Sequence, residues 1–92
     1  KETGPLANHK SALKRIRQSE RRRKRNQHIR SGMRTEIKRL REAIEAGDSS
    51  LANERFASTE RAIRRAATKG VIPKRRADRS VSRLAKSVSG IG

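Results

Sequence analysis

The chain is predicted to be all-α: an antiparallel three-helix bundle with a long first helix protruding from the bundle. Three observations predict this. Three stretches repeat apolar residues at helical spacing, Gly47 and Gly70 stand between them, and β-branched residues nowhere alternate with polar ones as a strand requires. Each of the two glycines follows one helical pattern and precedes the next, as a C-terminal cap glycine does.

The first segment is read over residues 10–46. In its second half Met33, Ile37, Leu40 and Ile44 are spaced four, three, four, a stripe on one helix face that Ile29 extends by a turn. Asn8 or Ser11 is suited to cap the start. Gly32 is a weak point, since glycine in a helix interior costs about 1 kcal/mol relative to alanine. It reads as a tolerated glycine, with close approach of another backbone as the alternative. The second segment is read over residues 51–69, with Asp48, Ser49 and Ser50 as candidate N-caps. Its stripe is Ala52, Phe56, Thr59, Ile63 and Ala66, and Phe56, the only aromatic residue, is read as core. The third runs over residues 73–88, with Pro73 at the first helical position and a stripe of Ala77, Val81, Leu84 and Val88. Residues 1–9 are read as an N-terminal extension and 90–92 as a tail, leaving 10–89 as one domain.

Segment lengths predict the protrusion. At 1.5 Å per residue the first segment is roughly 55 Å long and the others about half that. Leu13 and Ile16 also fall off the line of Met33, Ile37, Leu40 and Ile44, so the first half of the segment offers the bundle no continuous apolar face.

Composition bounds the function. The 92 residues carry 26 Lys and Arg against 9 Asp and Glu, a net charge of +17, and only 30% are hydrophobic. So small and polar a chain builds a thin core, and so cationic a chain calls for a polyanionic partner. There is no cysteine, which removes disulfides and Cys-based zinc sites. No apolar run approaches the ~20 residues of a membrane span, and Lys1 to Leu6 contain no signal-peptide apolar region.

The cations are concentrated. Between Lys10 and Arg30 stand Lys10, Lys14, Arg15, Arg17, Arg21, Arg22, Arg23, Lys24, Arg25 and Arg30, ten basic residues opposed only by Glu20, a local net of +9. Lys10, Lys14, Arg17, Arg21 and Arg25 step by four, three, four, four along one helix row, flanked by Arg15 and Arg22. Like charges four apart destabilise a free helix by about 0.2–0.5 kcal/mol per pair, and phosphates on a partner reverse the sign. So dense a run is read as a phosphate-binding face in preference to a merely solvated one. The third segment sets Arg75, Arg76, Arg79, Arg83 and Lys86 opposite its apolar stripe and is read the same way. The second mixes signs, with a favourable Glu60 to Arg64 pair, and is assigned to the bundle first.

Absences narrow the class. There is no aromatic pair to stack single-stranded bases and no Gly-rich phosphate loop. His9 and His28 stand far apart with no carboxylate at metal-ligand spacing, so no metal or other cofactor is expected. Glu36, Glu42 and Glu45 sit among cations and read as helix salt bridges, with no acid/base pair for catalysis.

The stretch Ala7-Asn8-His9-Lys10-Ser11-Ala12-Leu13-Lys14-Arg15-Ile16-Arg17-Gln18, continued by Arg21-Arg22-Arg23 and Arg25-Asn26, resembles the opening of the bacterial-type small-subunit ribosomal protein S-twenty family. Lys69-Gly70-Val71-Ile72 and Ser82-Arg83-Leu84-Ala85-Lys86 are also similar to that family. The resemblance covers the chain from about Ala7 to Val88, and the order and spacing of the motifs carry it. It implies a non-enzymatic structural constituent of the small ribosomal subunit. Such a protein binds small-subunit ribosomal RNA directly, at the 5′ domain and the long penultimate helix, and assists assembly. It implies contacts at Lys10, Ser11, Lys14, Arg15, Arg17, Gln18, Arg21, Arg22, Arg25 and Asn26, and at Lys74, Arg79, Ser82, Arg83 and Lys86. It also implies few protein contacts, no homo-oligomer, no membrane, and residence in the cytoplasmic ribosome of a bacterium or in an organellar ribosome. Leu6 takes the place of the family's usual start. Pro73 and Arg75 replace residues that are commonly His and Asn, Asp78 stands where a small residue is common, and Val81 stands where a basic residue is often found. Val81 fits the core stripe better than an RNA contact.

Two other classes compete. A histone-like DNA-binding protein shares the charge but departs from the family motifs. A membrane-active amphipathic helix would have only Ala12, Leu13 and Ile16 as its apolar face, too little to anchor well.

Overall fold

The computed structural model describes residues 5–91, with side chains from Lys10 onward. Those residues form three helices and no strand: α1 over Pro5–Glu45, α2 over Ser49–Thr68 and α3 over Lys74–Ser89. Together they form the helical bundle with a long first helix that the stripes predict.

Helix α1 begins earlier than the periodicity predicts. Residues 5–9, read as an extension, belong to it, and residues 1–4 lie outside the described residues. Ser11 is therefore interior and caps nothing. Its 41 residues correspond to roughly 60 Å. Arg, Lys, Gln, Glu, Leu and Ala, all strong helix formers, dominate this stretch, and no proline follows Pro5 until Pro73. The molecule is accordingly elongated, 70 × 20 × 14 Å.

Both connections close in the same way. Gly47 at φ 72° and Gly70 at φ 75° occupy the left-handed region that glycine enters without steric penalty. The Gly47 amide donates to the Ile44 carbonyl at 3.0 Å and the Asp48 amide to Ala43 at 3.2 Å. The Gly70 amide donates to Ala67 at 3.0 Å and Val71 to Ala66 at 2.8 Å. This paired pattern is the Schellman motif, and it satisfies the last helical carbonyls. Asp48 then caps α2, its Oδ1 accepting from the Leu51 amide at 3.0 Å. Pro73 is the N-cap of α3, one position ahead of the predicted first-turn place.

The core lies where the stripes meet. Leu40, Ala43, Ala52, Ile63, Ala66, Ala77, Val81 and Leu84 are buried, with Met33, Ile37, Ile44, Phe56 and Val88 half-buried around them. Phe56 thus packs against the core from its edge. Thr59 is fully buried, and its hydroxyl lies 2.8 Å from the Arg55 carbonyl and 3.1 Å from the Glu36 carbonyl of α1. Val71 and Ile72, in the α2–α3 connection, are buried as well. Helix α2 meets α1 at Thr59 and Glu36, and further on Arg61 and Arg65 line a cleft with the earlier His28 and Gly32. It meets α3 at Arg64 and Asp78, and further on Thr68 lies beside the earlier Lys74, so it runs antiparallel to both neighbours. Helices α1 and α3 then lie parallel, and between them an open groove runs past Ile37, Ile44, Ser80 and Leu84.

Candidate nucleic-acid interface

Core contact along α1 begins at Ile29. Every side chain from Lys10 to Arg25 is exposed, including Leu13 at 41% and Ile16 at 54%. At 1.5 Å per residue, the stretch from Lys10 to Arg25 alone carries α1 about 24 Å clear of the bundle. The reason is compositional. The bundle-facing line of α1, carried by Ile29, Met33, Ile37 and Leu40, passes back through Asn26, Arg22 and Arg15, and no apolar partner exists for those residues to meet.

Among the described residues the rod's cations are unpaired. The ion pairs among the described residues are Arg39–Glu36 at 3.9 Å, Arg64–Glu60 at 3.2 Å and Arg64–Asp78 at 3.1 Å, none of them on the rod. The row Lys10, Lys14, Arg17, Arg21 and Arg25 lies open, with Ser11, Arg15, Gln18, Arg22 and Arg23 exposed around it. Asn26 differs from these. It is half-buried, and its Oδ1 accepts from Arg25 Nε at 3.4 Å and Nη2 at 3.2 Å, which steadies the guanidinium. Arg30, at the root of the rod, is exposed.

Helix α3 presents a second basic face. Lys74, Arg75, Arg76, Arg79, Ser82, Arg83 and Lys86 are exposed, while Ala77, Val81 and Leu84 are buried on the opposite side. Its first turn holds three cations and no acid, and Pro73 supplies no side-chain cap. Cations at the positive end of a helix are unfavourable in isolation, whereas a phosphate there meets free amides and side-chain charge together. Ile72 and Arg76 share a groove with Met33 and Arg34, so α3 starts near the level at which the rod leaves the bundle.

Asp78 has a structural reason to depart from a small residue. It accepts from Arg64 Nη1, and Glu60 accepts from Arg64 Nε, so one guanidinium ties α2 to α3. The hydrogen bonds to Glu60 and then to Asp78 raise the Arg64 pKa above its ordinary value. The i,i+4 spacing announces the Glu60 half of this arrangement. Of the three glutamates read as helix salt bridges, Glu36 forms one, to Arg39, and Glu42 and Glu45 form none among the described residues. Periodicity gives no sign of the basic rim of the α1–α3 groove, where Arg34, Lys38 and Arg41 face Arg76 and Arg83.

Among the described residues no group of three or more His, Cys, Asp or Glu is placed to hold a metal ion, and no helix is long and apolar enough to cross a membrane. A bundle with a bare cationic rod and a second cationic helix is suited to meet a polyanion at two places. The profile of the family described as Ribosomal protein S20 matches residues 7–89. The chain belongs to that family.

Among curated proteins it is similar to "Small ribosomal subunit protein bS20" of Geotalea daltonii, 57% identical over 91% of this chain and 97% of that one. The protein of the same name from Geobacter sulfurreducens is 49% identical over 95% of this chain and 100% of its own length. That of an Anaeromyxobacter species is 43% identical over 94% and 96%. The S20 assignment makes this a structural protein of the small ribosomal subunit, and not an enzyme.

Proposed function

We propose that the chain binds small-subunit ribosomal RNA directly and bridges two of its segments, one along the rod and one along α3. The observation that carries this is the rod itself: a helix bare from Lys10 to Arg25, whose cations have no acidic partners among the described residues. Phosphates relieve the i,i+4 repulsion along the row, so the rod and the RNA stabilise each other. Arginine's flat fork holds two phosphate oxygens at once, which suits the Arg-rich run Arg21–Arg25. A duplex of RNA hides its base edges in a deep groove, so recognition runs through shape and backbone.

The rod contacts fall on Lys10, Ser11, Lys14, Arg15, Arg17, Gln18, Arg21, Arg22, Arg23, Arg25 and Arg30, with Asn26 acting through Arg25. Those of α3 fall on Lys74, Arg76, Arg79, Ser82, Arg83 and Lys86. The RNA segments are the 5′ domain and the long penultimate helix, as the family resemblance implies. The protein acts as a single copy with few protein contacts, in the cytoplasmic ribosome of a bacterium.

The test is the salt dependence of binding to small-subunit RNA. Replacing Arg21, Arg22 and Arg25 together with alanine should lower the slope of log K against log salt by roughly three, about one for each phosphate no longer neutralised. A slope unchanged from the parent would remove the rod from the interface.

A further inference from the structure

At the root of the rod, α1 and α2 leave a cleft of about 450 Å³ whose walls include His28, Gly32, Glu36, Arg61, Ala62 and Arg65. Gly32 sits in the interior of α1, where glycine is unfavourable. Protein packing gives no reason for it, because a Cβ there would meet nothing within 4 Å. Backbone conformation gives none either, since the positive-φ glycines among the described residues are Gly47 and Gly70. The basic row supplies a reason. Lys10, Lys14, Arg17, Arg21, Arg25 and His28 climb one face of α1, and Gly32 is the next position of that row. There the long side chains give way to bare helix, and Arg61 and Arg65 of α2 stand across the gap.

Glu36 is the one anion in this wall. Its Oε1 is buried with no hydrogen-bond partner, and its Oε2 lies 3.9 Å from Arg39 Nη1, too long for a hydrogen bond. A carboxylate is an acceptor only, so an unpaired one seeks a donor. Glu36 lines the cleft and its last torsion is soft, so its carboxylate can turn to meet a donor that enters there. A phosphate alone would meet Glu36 with repulsion. A ribonucleotide offers both complements, a phosphate for the arginines and a 2′-hydroxyl donor for the carboxylate.

We propose that the Gly32 cleft is a ribose–phosphate site, in which Arg61 and Arg65 hold a backbone phosphate and Glu36 accepts a hydrogen bond from the adjacent 2′-hydroxyl. The cleft thereby distinguishes RNA from DNA, a distinction that charge alone does not make. This inference rests on the proposed binding of ribosomal RNA and deepens it by naming the chemical group read at one place.

Two variants of the full chain test it, with affinity measured for a 5′-domain RNA fragment and for duplex DNA of equal length. Gly32→Leu fills the cleft. It should hold or raise the thermal unfolding temperature, because the position is open and leucine favours helix, and yet lower RNA affinity tenfold or more. Glu36→Ala removes an anion, so electrostatics alone predicts tighter binding to both polymers. The proposed site predicts weaker RNA binding, slightly tighter DNA binding and a preference for RNA reduced about tenfold. Gly32→Leu binding RNA as tightly as the parent, or Glu36→Ala improving both polymers equally, overturns the site. Failure of the wider reading looks different: the parent chain itself would not prefer ribosomal RNA.

Discussion

One helix, α1, lives in two environments. From Ile29 to Glu45 it is one of the three helices of the bundle, and Leu40 is fully buried. From Lys10 to Arg25 its side chains are all exposed, and even Leu13 is 41% open to solvent. Both halves are α-helical, so helical propensity cannot distinguish them. What differs is the residue at each bundle-facing position: apolar in one half, Arg15, Arg22 and Asn26 in the other. The bundle half is held by burial of apolar surface, whereas the rod half has only local helical bonding against its own charge repulsion. Such a helix is completed by a partner of opposite sign.

The two halves of α1 should respond most differently to the same substitution. Leu40→Ala should destabilise the bundle by about 2–5 kcal/mol, the usual cost of emptying a packed site. Leu13→Ala should change stability by less than about 0.5 kcal/mol. Urea unfolding followed by circular dichroism measures both, and similar values would mean that the rod is packed after all. A smaller effect is expected at the connection. Gly70→Ala forces a Cβ into the left-handed region and should cost about 1–2 kcal/mol of bundle stability, read as a lowered unfolding temperature. Smaller still is the exposed tie between α2 and α3. Asp78→Ala should cost at most about 1 kcal/mol, and added salt should shrink the difference from the parent. The rod sharpens the contrast from the other side. The Arg21, Arg22 and Arg25 alanine variant, which loses RNA affinity, should leave the urea midpoint of the bundle close to that of the parent.

Much of the fold is legible in the chain because it is local. The four-three stripes mark which faces turn inward, and Leu40, Ile63, Ala66, Ala77 and Leu84 are buried as their spacing predicts. Gly47, Gly70 and Asp48 mark the helix ends through backbone chemistry that operates within a few residues. The start of α1 is harder to place, because the charge pattern begins at Lys10 while Pro5 is itself a favoured first-turn residue. The burial of Val71 and Ile72 is hidden in the sequence, since a connection carries no periodicity to announce it. The cleft at Gly32 is hidden too, because the mixed signs along α2 mask its cationic end. Arg61 and Arg65 gain meaning only beside the gap in the row on α1.

The helicity of the chain, the place of each connection and the stretch of excess charge all follow from the order of its residues. Each of these depends on neighbours within about four residues. Which cations stay free and which are engaged within the fold depends instead on how the helices pack. Arg64 meets Asp78 across 14 residues of chain and Thr59 reaches Glu36 across 23, while Arg21 meets no acid among the described residues. Contacts at such separations exist only once packing has set the helices side by side, and the same packing opens the cleft beside Gly32.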